Sequence, residues 1–246
     1  MIAALSMYDM AHARAAHDRY WQAIRNALGF GPAHLDRTGD LWDQWLSPQL
    51  VLAQTCGLPF RARLHDKVTL VGTPDYGLPD CPPGHYFSVF VVSADHPALS
   101  LVALEHPTLA YNDPLSQSGW AAPIAHFRDL GLGFRTGPQT GSHVASACAV
   151  ADGRADVAAL DAVTWKMLQQ ENPSLAGRLR VIDRTTATPG LPYITASTFD
   201  PELIAQTVRE AIANLSEIDR DTLRLRALIH IPAHTYLALP LPPKPR

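Results

Sequence analysis

An excess of basic charge is the first thing this sequence lacks. Its 20 Lys and Arg face 23 Asp and Glu, a formal net charge of −3. Duplex nucleic acid and acidic membrane surfaces are both held by a basic face, so neither is expected as a partner. No apolar run approaches the ~18–20 residues of a membrane span, which argues against a bilayer-crossing helix. Cysteine is scarce and odd in number. Cys56, Cys81 and Cys148 have no metal-ligand spacing and cannot close a disulfide framework. The opening residues Met1, Ile2, Ala3, Ala4 and Leu5 run straight into polar sequence, without the basic and long apolar regions of a secretion signal. As it stands the sequence reads as cytoplasmic, or as periplasmic with its signal already removed.

The usual cradles for chemistry are missing too. There is no Gly-x-Gly-x-x-Gly, no Gly-x-x-x-x-Gly-Lys and no Gly-x-Ser-x-Gly, so nucleotide, dinucleotide and serine-hydrolase chemistry have no frame. His230 and His234 are four apart, but Pro232 between them breaks the helical face that a metal pair needs. Ser142, His143 and Asp161 have the composition of a triad, yet neighbours on one helix start point in different directions. No metal, no cofactor and no catalytic residue is expected.

What is present is apolar patterning: 47% of 246 residues, enough for a substantial core. Residues 2–6 read as a buried strand. Asp9 stands as the cap of a helix reaching Leu28, with Tyr20, Trp21, Ile24 and Leu28 at helical spacing. Strands follow at 51–54 and 68–72, and the longest β-type run is 85–93. The middle repeats strand, polar turn and helix: strands at 109–111, 132–135, 156–160 and 180–183 alternate with helices at 119–130, 143–152 and 162–169. That repeat predicts a parallel sheet with helices on its faces. Helices are predicted over 201–215, capped by Asp200, and over 217–229, capped by Ser216. The tail 239–246 holds four of the 21 prolines and reads as loose surface chain. The pattern gives two α/β lobes, residues 1–90 plus 192–246 and residues 91–191, with crossings near 85–95 and 185–195.

In parallel α/β sheets, ligands bind beyond the carboxyl ends of strands, where helix N-termini offer free N–H groups and partial positive charge. Three successive turns carry suitable side chains there: Asn112 to Gly119 with Ser116, Gln117 and Ser118; Thr140 to His143 with Ser142; and Asp161. Ser, Thr, Asn and Asp are also the commonest helix caps, and capping needs no ligand. Three such turns in consecutive units point to a pocket for an anion or a polar molecule.

The turns 112–119, 140–146 and 153–161, together with Gln54-Thr55-Cys56-Gly57-Leu58-Pro59 and Pro189-Gly190-Leu191-Pro192-Tyr193, resemble the phosphonate-binding family of ABC-transporter solute receptors. The likeness runs over roughly residues 2–215. It implies a type II periplasmic-binding-protein fold: two Rossmann-like lobes, joined by two crossing strands, with a ligand cleft between them. It also implies reversible binding of a small polar, anionic ligand of the phosphate or phosphonate kind, with an ABC permease as partner and no catalysis. The matching positions are Ser116 and Ser118, Ser142 and His143, and Asp161, joined by Tyr8 and Thr55 after the first strands. Gln117 lies within the first turn, and Tyr86 and Tyr193 lie at the expected crossings. A cytosolic metabolite sensor, or an enzyme recruited from the same fold, is the alternative that the missing export signal favours.

Overall fold

The computed structural model of the chain describes residues 1–245. Its strands are β1 (Ile2–Ala4), β2 (Leu50–Gln54), β3 (Val68–Asp75), β4 (His85–Tyr86), β5 (Ser88–Ser93) and β6 (Thr108–Tyr111), then β7 (Arg135–Gln139), β8 (Val157–Asp161), β9 (Leu179–Arg184), β10 (Thr188–Pro189), β11 (Tyr193–Ala196) and β12 (Ala227–Ile229). The helices are α1 (Arg14–Leu28), α2 (Leu41–Trp45), α3 (Gly57–Pro59), α4 (Ala122–Asp129) and α5 (His143–Ala151), then α6 (Ala162–Glu171), α7 (Pro173–Gly177), α8 (Pro201–Ala213), α9 (Glu217–Leu223) and α10 (Ala233–Leu237).

The chain folds as two units. One comprises Met1–His85 and Pro189–Leu239; the other comprises Tyr86–Thr188 and the segment from Pro240. Unit 1 carries a sheet in the order β1-β2-β11-β3-β12, and unit 2 one in the order β7-β6-β8-β5-β9. The segments β4 and β10 pair with each other. After Leu239 the backbone passes from one unit to the other for a third time.

In unit 1, β1 runs parallel to β2, while β11 lies antiparallel between β2 and β3. Strand β2 is buried along its whole length, as a strand with both faces covered must be. On one side α1 and α8 press Tyr20, Trp21, Ile24, Ile204 and Val208 into the core; on the other, Trp45, Phe60, Leu64 and Tyr236 do so. Each such burial contributes about 1.5–3 kcal/mol. In unit 2, β6 is parallel to β7 and β8, as the strand–turn–helix repeat predicts. Strand β5 is antiparallel to β8 and β9, and its Phe90 and Val92 pack with Leu109, Trp120 and Phe127. Both sheets are therefore mixed.

Several local expectations change. Asp9 caps no helix: it lies between two 3₁₀ turns, 6–8 and 11–13, that precede α1, and its carboxylate instead takes His17 Nδ1 at 3.0 Å and the Arg37 guanidinium. The helix predicted over 217–229 stops at Leu223, because Arg224 turns left-handed at φ 54°. Residues 227–229 then pair with β3 as an edge strand. The strand predicted at 132–135 forms later, as β7. The run 85–93 breaks between β4 and β5. Of the tail, Arg246 lies outside the described residues, while Pro243 is tied to Trp120 by a hydrogen bond.

Candidate functional site

Three helical segments of unit 2 start from the carboxyl ends of its three mutually parallel strands: the 117–121 turn and α4 after β6, α5 after β7, and α6 after β8. The same polar turns found in the sequence therefore share one sheet edge.

Ser116 opens the first turn. Its Oγ accepts from Gly119 N at 2.9 Å, and its carbonyl accepts from both Trp120 N (3.2 Å) and Ala121 N (3.0 Å), giving a wide, π-type turn over Gln117–Ala121. Ser116, Gln117 and Ser118 are all buried. Gly119 is required here by its neighbour: a Cβ at this position would collide with Asn112 Oδ1 and lie 3.3 Å from His143 Cε1.

The second turn bends at Gly141, whose φ of 83° suits glycine. Ser142 Oγ then caps α5 by accepting from Ala145 N at 3.1 Å. This places His143 on the first helical turn with its Nε2 at 2.8 Å from Ser118 Oγ. Burial pulls the His143 imidazole down to about 4, with the nearby Ala159 backbone opposing, so the ring is neutral at pH 7. Ser118 Oγ is also 3.4 Å from Ser116 Oγ. Two hydroxyls and a neutral ring thus meet at one point.

Asp161 ends β8, and its Oδ1 accepts from Val163 N (2.7 Å) and Thr164 N (3.1 Å), capping α6. Across the sheet Ser88 stands opposite Asp161, and Ser88 Oγ donates to the Ser118 carbonyl at 2.9 Å. Ser88 links the first and third turns and was missed from the sequence, since it reads as an ordinary residue in a β-type run. Asn112 is also new as an individual residue: its Oδ1 is buried without a hydrogen-bond partner. Tyr86 is buried in β4.

Unit 1 has its own polar edge. Tyr8 follows β1, Thr55 follows β2, Tyr76 follows β3, and Tyr193 opens the antiparallel β11 beside Gln54. The Tyr8 and Tyr76 rings meet edge to face at 4.8 Å, and Gln54 Nε2 donates to Tyr76 Oη at 3.0 Å. Thr55 is fully buried, and its Oγ1 has no hydrogen-bond partner. Burial raises the Tyr193 phenol well above its ordinary value, reinforced by Tyr20, so it stays a donor. Tyr76 is the residue that the sequence reading overlooked here, and Gln54 was read only as part of its motif. The signal for Gln54 was its place at the end of a buried strand.

No group of three or more His, Cys, Asp or Glu among the described residues is arranged to hold a metal ion.

Solved structures with the same architecture include PhnD1 from Prochlorococcus marinus in complex with methylphosphonate, with TM-score 0.76 and 16% identity over 96% of this chain and 93% of that one. A binding-protein component of an ABC phosphonate transporter from Pseudomonas aeruginosa gives TM-score 0.70 and 17% identity over 96% and 82%. XAC2383 from Xanthomonas citri, bound to chloride ion, gives TM-score 0.67 and 17% identity over 97% and 94%. At such identities the likeness carries the fold, that of type II periplasmic binding proteins. No curated protein matches the sequence. The family described as ABC transporter, phosphonate, periplasmic substrate-binding protein matches residues 50–233. Its members are transport receptors rather than enzymes, and this chain belongs to that family.

Proposed function

We propose that this receptor reversibly binds a small tetrahedral oxyanion of the phosphonate or phosphate class at the carboxyl edge of β6, β7 and β8. The observation that carries the reading is the 2.8 Å contact between Ser118 Oγ and His143 Nε2, two residues 25 apart in sequence that meet where two helices begin. Hydroxyls, backbone N–H groups and a helix N-terminus can replace the water around an anion without any Lys or Arg. A neutral His143 adds selectivity. A monoprotonated phosphonate offers P–O⁻ oxygens to the hydroxyls of Ser116 and Ser118, and a P–OH to the Nε2 lone pair. A sulfonate has no such proton to give. Ser142, Gln117, Tyr86 and Asp161 border the same reading; Asp161 and Ser142 act first as helix caps. Tyr8, Thr55 and Tyr193 belong to the polar edge of unit 1, where the Thr55 hydroxyl is buried without a hydrogen-bond partner. We assign the periplasm as the working compartment and an ABC permease as the partner, following the family. No helix among the described residues is long and apolar enough to cross a membrane.

The test is a thermal-shift screen followed by calorimetric titration of phosphate, phosphite, methylphosphonate, methanesulfonate and amine-bearing metabolites. A ligand at a hundred times its Kd stabilises the fold by ~2.7 kcal/mol, or roughly 5–10 °C for a chain of this length. Methylphosphonate should outbind methanesulfonate, and His143→Ala should erase that preference. A response confined to amines or sugars would overturn the oxyanion reading.

A further inference from the structure

We infer that the C-terminal segment from Pro240 is an intramolecular polyproline ligand seated on the Trp120 indole, and that its seating holds the 116–121 turn in place. The turn's role in anion binding rests on the function proposed above; the docking itself does not. Pro240, Pro242, Pro243 and Pro245 crowd into six residues. Proline fixes φ near −65° and removes its own N–H, so such a segment is stiff and its carbonyls depend on donors from elsewhere. The Trp120 indole supplies one: Nε1 donates to the Pro243 carbonyl at 2.8 Å. Aromatic surfaces with an outward donor are the usual seat for proline-rich chains, because little conformational entropy is lost on docking.

The seat is rigid. Trp120 is 2% exposed, and its ring is held against Tyr111 (4.8 Å) and Phe134 (6.2 Å). The same residue belongs to the candidate site, since its backbone N–H bonds the carbonyl of Ser116, whose Oγ receives Gly119 N. A continuous line of bonds therefore joins the Pro243 carbonyl to the Ser116 hydroxyl. Leu241 within the segment is 63% exposed, so the contact is a reversible latch rather than part of the core. Both partners of the contact belong to unit 2.

The test uses the 246-residue chain in a double-mutant cycle: Pro240, Pro242, Pro243 and Pro245 all changed to Ser; Trp120→Phe; and both together. Amide hydrogen exchange of Trp120 and Ala121 is the primary readout, and methylphosphonate titration the second. Loss of the segment's stiffness in the proline-to-serine chain, and of the indole donor in Trp120→Phe, should each speed exchange roughly 2- to 10-fold, with the combination no faster than either. Affinity should fall by a similar factor. Unchanged exchange in the proline-to-serine chain, or effects that multiply in the combined variant, would overturn the latch. If Trp120→Phe does not fold, the proline-to-serine chain alone decides. If methylphosphonate fails to bind even the unaltered chain, the proposed function falls while exchange still decides the docking.

Discussion

Ser118→Ala separates a ligand-binding hydroxyl from a helix cap. The capping duty of the first turn belongs to Ser116, whose Oγ receives Gly119 N at 2.9 Å, so removing Ser118 Oγ leaves the cap intact. It also leaves the Ser88 bond, which goes to the Ser118 carbonyl. What is lost in the empty protein is the 2.8 Å contact with His143 Nε2, a neutral pair that contributes about 0.5–1.5 kcal/mol. In the complex the lost partner is a charged oxygen, and such bonds contribute about 1.5–3 kcal/mol, or roughly ten- to a hundredfold in Kd. The expected variant therefore melts within a few degrees of the parent and binds methylphosphonate at least tenfold more weakly. Titration calorimetry beside thermal unfolding reads both axes. Ser142→Ala is the natural contrast: it removes the α5 cap on Ala145 N, so it should cost ~1 kcal/mol of stability and far less affinity. If Ser118→Ala binds as tightly as the parent and only melts earlier, the edge is a set of caps and the proposed anion cradle is wrong.

Other expectations follow from single residues. His143 is held near 4 against an ordinary 6.5, so the folded state binds fewer protons than the unfolded one between those values. Stability should thus fall as pH drops from about 6.5 to 4, by roughly 2–4 kcal/mol, and His143→Gln should flatten that limb of a denaturation-versus-pH curve. Asp9 acts in the same direction at lower pH. Burial opposes its charge, but the His17 and Arg37 hydrogen bonds prevail and hold it at about 2 against 3.8. Its contribution of about 2 kcal/mol is complete above pH 3.8 and is lost as pH falls through 2; Asp9→Asn should remove it, as urea unfolding at pH 5 would record. Gly119→Ala drives a methyl group into Asn112 Oδ1 and against His143, so a loss of about 1–3 kcal/mol and of methylphosphonate affinity is expected. Unaltered binding in that variant would mean the first turn tolerates rearrangement without consequence for the ligand.

Much of this architecture was legible because period and punctuation agree in the sequence. Short apolar runs ending in Asn112, Thr140 or Asp161 announce strand, turn and helix start, and β6, β7 and β8 do carry those turns at one edge. The antiparallel direction of β5 and β11 was illegible, since a strand buried on both faces has the same composition in either direction. Strand β12 was hidden by a left-handed stop at an arginine, where pattern reading looks for glycine. Asp9 sits where a cap would, yet the competing attraction of Arg37 and His17 captures it. Within the site, Ser118 and His143 were each visible as residue types, but their pairing depends on β6 lying beside β7, which no local spacing encodes. Ser88 and Asn112 were individually invisible for the same reason: each acts across the sheet or across a turn.

The π-type turn at Gln117–Ala121 amounts to one residue more than a regular helix would place there. Deleting a position before Trp120 would return the turn to ordinary pitch and shift which residue stands at each place in it, carrying the Trp120 side chain away from its packing. Length is therefore constrained at this point of the gene, as is Gly119, while side-chain identity at 116–118 is freer. Descendants of this sequence that drift to a new ligand should do so by exchanging residues at 116, 117 and 118, with insertions and deletions falling elsewhere. A natural variant that gained or lost a residue inside the turn and kept its ligand would contradict that expectation.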